Sequence, residues 1–188
     1  KIVLFMLIFL TGKPGAGKTS MLAELASKLQ AEKGKDRKPK RKVAGFLMEE
    51  IREGEIRKGF FMRDLASGEK ELLAHLNSRF VNSGYHLSRF HVSMGAIDKS
   101  LARFEKSFPT AEYVFIDEIG RFGLFSETFS QALDTVLHTP NKIIVATLHV
   151  NYLSLFGHLG EVLFLKQDNH SEIKEKLANM IGVSSKPL

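Results

Sequence analysis

The run Gly12-Lys13-Pro14-Gly15-Ala16-Gly17-Lys18-Thr19 fits the pattern G-x-x-x-x-G-K-[ST] without a gap. It follows an apolar segment, Ile2 to Leu10, and opens a stretch with apolar residues at helical spacing. A glycine-rich loop between strand and helix suits a chain of phosphates. Its glycines let the backbone close tightly and point successive N–H groups inward, and the helix N-terminus adds partial positive charge. Gly12, Lys13, Pro14, Gly15, Ala16, Gly17, Lys18, Thr19 and Ser20 are therefore the expected phosphate-binding residues. Lys18 is expected to reach the β- and γ-phosphates, and the Thr19 hydroxyl to ligate Mg²⁺.

The segments around this loop fit an α/β protein. Ile2–Leu10 reads as a buried strand, and Lys18 to Lys33 as a helix with Met21, Leu22, Leu25, Ala26 and Leu29 on one stripe. Val43–Ile51 and Glu55–Asp64 are β-type runs joined through Arg52-Glu53-Gly54, a hairpin signal. Leu65-Ala66-Ser67-Gly68 marks a turn, Glu69–Leu76 suits a third strand or the start of a helix, and residues 77–84 read as loop. Tyr85–Val92 reads as one strand and Ala96–Phe108 as a helix closed by Pro109. Then come strand Tyr113–Asp117, helix Ser126–His138, and strands Lys142–Leu148 and Glu161–Leu165. A last helix opens at Asn169, with Glu172 placed as in a capping box, and ends near Gly182. Strands alternating with helices predict a mainly parallel sheet covered on both faces. Residues 43–76 are expected as an antiparallel insertion at its edge, within a single domain spanning residues 1–188.

Tyr113-Val114-Phe115-Ile116 leads into two carboxylates, Asp117 and Glu118. With a P-loop upstream, Asp117 is expected to help hold Mg²⁺ together with Thr19. Glu118, one residue further, is the candidate to orient a water and accept its proton. Asp117-Glu118-Ile119-Gly120 also fits D-x-x-G, but no guanine-reading N-K-x-D follows, since Asn141-Lys142-Ile143-Ile144 lacks the aspartate. A guanine-specific switch is not expected.

Composition removes other classes. There is no cysteine, so disulfides, thiolate metal sites and cysteine nucleophiles are excluded. His75, His86, His91 and His158 show no zinc-binding spacing. The first apolar run is far short of the roughly 20 residues that span a bilayer. It lacks a cleavage-site pattern, so no membrane contact and a cytoplasmic location are expected. The net charge of +6 comes from residues 33–42, which hold Lys33, Lys35, Arg37, Lys38, Lys40, Arg41 and Lys42 against Asp36 alone. That segment reads either as a solvated loop or as a patch that touches nucleic acid.

Three blocks carry a resemblance to the P-loop nucleoside-triphosphatases known from thermophiles, the family of the cancer-related nucleoside-triphosphatase. They are Thr11 to Thr19, Gly45 to Phe60 (GFLMEEIREGEIRKGF), and Asp117-Glu118-Ile119-Gly120 through Leu124-Phe125-Ser126. The second is similar to G-F-x-T-x-E-I-R-x-G-G-x-R-x-G-F and the third to D-E-I-G-x-M-E-L-x-S. Met48 replaces a usual threonine, Glu55 a usual glycine, and Phe122-Gly123 a usual Met-Glu. The resemblance implies a variation of the RecA fold, a three-layer α/β/α sandwich. It also implies slow hydrolysis of ATP, GTP and other triphosphates, CTP and UTP among them, with little base selectivity.

Phosphoryl transfer needs positive charge on the phosphate oxygens. Arg52 or Arg57, in the second block, is the candidate source beside Lys18, with Arg63 and Arg121 as further arginines. Thr147 and His149, at the end of the strand after the acidic pair, read either as γ-phosphate sensors or as local caps. A small nucleotide or metabolite kinase remains the rival enzyme class. A nucleotide-dependent switch binding nucleic acid through residues 33–42 is the non-enzymatic one.

Overall fold

The structure, a computed structural model, describes residues 5–34, 39–81 and 84–183. Nine strands form one sheet among these residues. They are β1 (Met6–Gly12), β2 (Val43–Glu53), β3 (Ile56–Asp64), β4 (Lys70–His75), β5 (Gly84–Leu87), β6 (Phe90–Ser93), β7 (Tyr113–Ile119), β8 (Ile143–Leu148) and β9 (Glu161–Leu165). The helices are α1 (Lys18–Ala31), α2 (Met94–Ser107), α3 (Arg121–Leu124), α4 (Glu127–His138), α5 (Leu153–Phe156) and α6 (His170–Met180).

The strand order is β5-β6-β4-β3-β2-β7-β8-β1-β9. The β2–β7, β7–β8, β8–β1 and β1–β9 pairs are parallel, and the pairs from β2 outward to β5 are antiparallel. The sheet is thus mixed, and the expectation of a mainly parallel one is corrected. The reason lies in the short connections between residues 43 and 93. The two-residue turns after β2 and β5 and the five-residue link from β3 to β4 can only join antiparallel neighbours, whereas a parallel return needs a crossover of about a dozen or more residues. Gly54, with φ 55°, opens the tight β2–β3 turn with Glu55. That turn lies two residues beyond its expected start at Arg52.

The expected single strand Tyr85–Val92 is a second such hairpin. Ser88 takes φ 55° and the chain folds back over Ser88-Arg89, pairing Leu87 with Phe90. The antiparallel half therefore runs on to Ser93 rather than ending at residue 76. Glu69–Leu76 resolves as strand β4.

Two apolar layers sandwich the sheet. Ile8, Leu10, Leu47, Phe115 and Val145 face α1 and α6, where Met21, Leu22, Leu25, Ala26, Leu29, Ile173 and Leu177 are buried. Phe9, Phe46, Ile116 and Ala146 point the other way, toward Ile97, Leu101 and Phe104 of α2 and Phe129, Leu133, Val136 and Leu137 of α4. This alternation follows from the period of two along a strand. Ser93 and Ser126 cap α2 and α4 by accepting from Ala96 N and Phe129 N. Asn169 does not close a capping box. Its side chain accepts from Lys166 N and donates to Phe164 O, so it builds the turn before α6. No helix among the described residues is long and apolar enough to cross a membrane.

Candidate active site

The connections leaving the parallel strands define where a ligand can sit. After β7 and β8 the chain passes to the face of α4 and α5, and after β1 and β9 to the face of α1 and α6. The adjacent strands β8 and β1 thus part in opposite directions, and in open α/β sheets that divergence opens a crevice at the carboxyl ends of the strands. Residues 12–20 fill one side of this crevice. Gly12, Gly15 and Gly17 take φ of 151°, 80° and 92°, the left-handed region that favours glycine. Lys18 folds back along the loop and donates from Nζ to Gly12 O (2.9 Å) and Lys13 O (3.0 Å).

The acidic pair lies across the crevice on β7. Because β8 intervenes, β7 and β1 are two strand spacings apart, about 9–10 Å. The β7–β8 ladder is irregular between Ile116 and Ile119, which releases Asp117 and Glu118 from regular pairing. Asp117 is 2% exposed. Its Oδ1 accepts from Thr147 Oγ1 at 2.6 Å and its Oδ2 from Met48 N at 3.2 Å. Burial pushes its carboxyl upward, while bonds from Thr147, Thr19 and Met48 N and the charge of Lys18 oppose that. Thr147 therefore fixes one oxygen of Asp117. His149 accepts from Asn151 N and caps a turn.

Burial, and then the Asp117 charge, push the Glu118 carboxyl up to about 7, with Lys18 opposing. Glu118 lies back over its own turn, for a Cβ on Gly120 would meet its Oε1 at 2.7 Å. Gly123 occupies the place of a carboxylate in the resembling pattern. A Cβ there would come within 2.5 Å of the Phe129 ring, so this packing leaves no room for a side chain.

Arg52 and Arg57 sit across from one another on the β2–β3 hairpin, which outruns β7 at the same end of the sheet as the loop. Glu50 engages both, through Arg52 Nε at 2.6 Å and through Arg57 Nη2. The Arg57 guanidinium also lies 5.5 Å from the centre of the Phe60 ring. Among the described residues neither arginine bonds to the loop, Asp117 or Glu118. Arg63 and Lys70 share Glu49, and Arg121 is exposed at the start of α3. Sequence reading gave Glu50 no role; a glutamate between arginines carries no signal until the hairpin register is known.

Residues 39–42, the described end of the basic segment, are at the opposite end of the sheet, before β2. Lys35, Asp36, Arg37 and Lys38 lie outside the described residues. Lys40 and Arg41 pair with Glu32, and Arg41 also with Glu112. A cavity of about 570 Å³ opens beside Glu53, Lys58, His75, Asn77, Phe80 and His91, and none of the expected site residues lines it.

Fold and site together describe an α/β protein with a P-loop motif facing a buried carboxylate across a strand switch point. The family described as NTPase matches residues 7–178, and the chain belongs to it. The nucleoside-triphosphatase THEP1 of Methanosarcina acetivorans is 34% identical, covering 92% of this chain and 94% of its own. That of Methanocaldococcus jannaschii is 32% identical, with 94% and 97% covered. Among solved structures, THEP1 from Aquifex aeolicus superposes with a TM-score of 0.75 at 25% identity, covering 93% of this chain and 98% of that one. A human cancer-related nucleoside triphosphatase shares the fold, with a TM-score of 0.69 and 24% identity over 94% of this chain and 97% of that one.

Proposed function

We propose that the chain, acting as a single P-loop domain of RecA-like kind, is a Mg²⁺-dependent nucleoside-triphosphatase. Its substrates are ATP, GTP, CTP and UTP, cleaved to diphosphate and phosphate with little base selectivity. The observation that carries this reading is the buried Asp117, bonded to Thr19 at the start of α1, with Glu118 beside it and Lys18 close enough to act on both. The family's relatives are named nucleoside-triphosphatases, which supports the same class of reaction.

A divalent cation suits the donor set. Asp117 is a carboxylate whose charge burial opposes, and a cation beside it and the Thr19 hydroxyl would relieve that cost. Among the described residues no three His, Asp or Glu side chains gather into a metal site. A small protein ligand set suits Mg²⁺, which keeps several waters and takes oxygens from substrate phosphates. When bound, it supplies positive charge to the phosphate oxygens.

The chain's own groups do the rest. Backbone N–H groups of the loop residues other than Pro14, which has none, receive the phosphates, and Lys18 exchanges its two loop carbonyls for phosphate oxygens. Glu118 orients a water toward the γ-phosphorus. The water oxygen bonds to phosphorus, the bond to the bridging oxygen breaks, and the water proton passes to Glu118. With its carboxyl near 7, Glu118 is suited to take that proton at neutral pH. Arg52 or Arg57 adds charge on the phosphate oxygens once freed from Glu50.

The test is phosphate release from the four triphosphates with Mg²⁺, beside Lys18→Ala and Glu118→Gln. All four substrates should turn over. Lys18→Ala should weaken binding, and Glu118→Gln should keep binding while turnover falls about a hundredfold or more. Wild type that binds nucleotide yet releases phosphate only when an acceptor is added would make the chain a kinase.

A further inference from the structure

His170, the first residue of α6, is packed against the P-loop. A Cβ on Gly17 would lie 3.0 Å from its Nε2 and 3.4 Å from its Cδ2. The ring is half-buried and makes no hydrogen bond or ion pair among the described residues. It is held in place from both sides of its turn. β9 runs beside β1 with Leu165 level with Gly12, so the chain after β9 emerges next to the start of the loop. Asn169 then ties that chain down by its bonds to Lys166 N and Phe164 O.

The direction of the triphosphate follows from the two flanks of β1. Asp117, Glu118 and Thr147 all lie on the β8 side, so the terminal phosphate belongs there. A linear triphosphate lying along the loop must send its nucleoside the other way, toward β9. At that end Lys166, Gln167 and Asp168 are exposed, and the Asn169 amide is occupied in the turn. His170 is the flat side chain that remains.

We propose that His170 forms the nucleoside subsite, packing its imidazole against the base or ribose of the bound triphosphate. This rests on the reading of residues 12–20 as the phosphate cradle. A ring face stacks on any base, whereas selectivity needs hydrogen-bonding groups fixed against one base edge. Here the fixed polar side chain, Asn169, faces its own backbone. The subsite thus takes nucleosides as a class.

The test uses the full chain and measures binding of ATP, GTP, CTP, UTP and inorganic tripolyphosphate with Mg²⁺, in wild type, His170→Ala, His170→Phe and Lys18→Ala. Loss of a stacking ring should weaken all four nucleotides about tenfold in His170→Ala. Tripolyphosphate, which has no nucleoside, should change by less than about twofold. His170→Phe should recover most of the nucleotide affinity, and it also serves if the alanine variant folds poorly. Equal weakening of tripolyphosphate would mean that His170 shapes the cradle, and unchanged nucleotide affinity would mean that it touches neither; both overturn the proposal. If Lys18→Ala leaves tripolyphosphate binding intact, the cradle reading itself fails, and that result is separate from either.

Discussion

Glu118 carries an ionisation cost that is measurable without nucleotide. Its carboxyl titrates near 7 in the folded chain, against an ordinary 4.5, because burial and the Asp117 charge disfavour the anion. The folded state therefore binds more protons than the unfolded one between these values. Stability should fall as pH rises from about 4.5 to 7 and level off above it. Glu118→Gln keeps the shape and cannot ionise, so it should be more stable than wild type by about 1–3 kcal/mol at pH 8 and nearly equal to it at pH 4. Urea unfolding at both pH values, with chelator present, measures the difference; a gap independent of pH would remove the ionisation argument. This residue was legible in the sequence because a carboxylate pair ending an apolar strand gains meaning from the P-loop motif upstream. His170 was not, since its contact with Gly17 joins distant parts of the chain and depends on β9 lying beside β1.

At the level of elements, the question is what fixes the chain just after Glu118. α3 is a single turn, too short to be stable alone. It is held by what it touches. Phe122 packs on Phe60 and Phe90 with ring centres 5.0 and 6.1 Å apart, and Tyr85 donates from its hydroxyl to Phe122 O. Burial pushes the Tyr85 hydroxyl up to about 12, so it remains a donor across the working pH range. The antiparallel strands thus brace the turn that carries the candidate base. Phe122→Ala should cost about 2–3 kcal/mol of stability and lower kcat several-fold with little change in KM. Tyr85→Phe, losing one hydrogen bond, should cost about 1 kcal/mol and move kcat in the same direction. Steady-state kinetics beside thermal melts decide it: a lower Tm with unchanged kcat would make the contact structural only. The sequence disclosed the four long helices α1, α2, α4 and α6, whose apolar periods run over several turns, and the parallel strands, but not the single-turn helices α3 and α5. It concealed the β5–β6 hairpin, because Leu87-Ser88-Arg89-Phe90 has neither glycine nor asparagine to announce a turn, and Ser88 takes the left-handed conformation only in the folded context.

Across the whole molecule, the sheet separates two charged ends. The P-loop, Asp117 and Glu118 stand at the carboxyl ends of the parallel strands, and residues 39–42, the described end of the basic segment before β2, stand at the other. Lys40 and Arg41 are already paired with Glu32 and Glu112 there, so part of that charge is compensated within the fold. Ligand-linked stability can locate the functional end. A nucleotide that binds only the folded chain, at a hundred times its Kd, should add about 2.7 kcal/mol. In a chain of 188 residues that is a rise in Tm of about 5–10 °C. All four triphosphates with Mg²⁺ should give it, chelator should diminish it, and Lys18→Ala should abolish it. The same melts with single-stranded RNA at low salt address the other end, since counterion release would make any rise there fall steeply as salt is added. A salt-sensitive rise with RNA that survives in Lys18→Ala would place a second binding function on residues 33–42. Absence of that rise, with the nucleotide response intact, leaves the crevice between β8 and β1 as the end that binds.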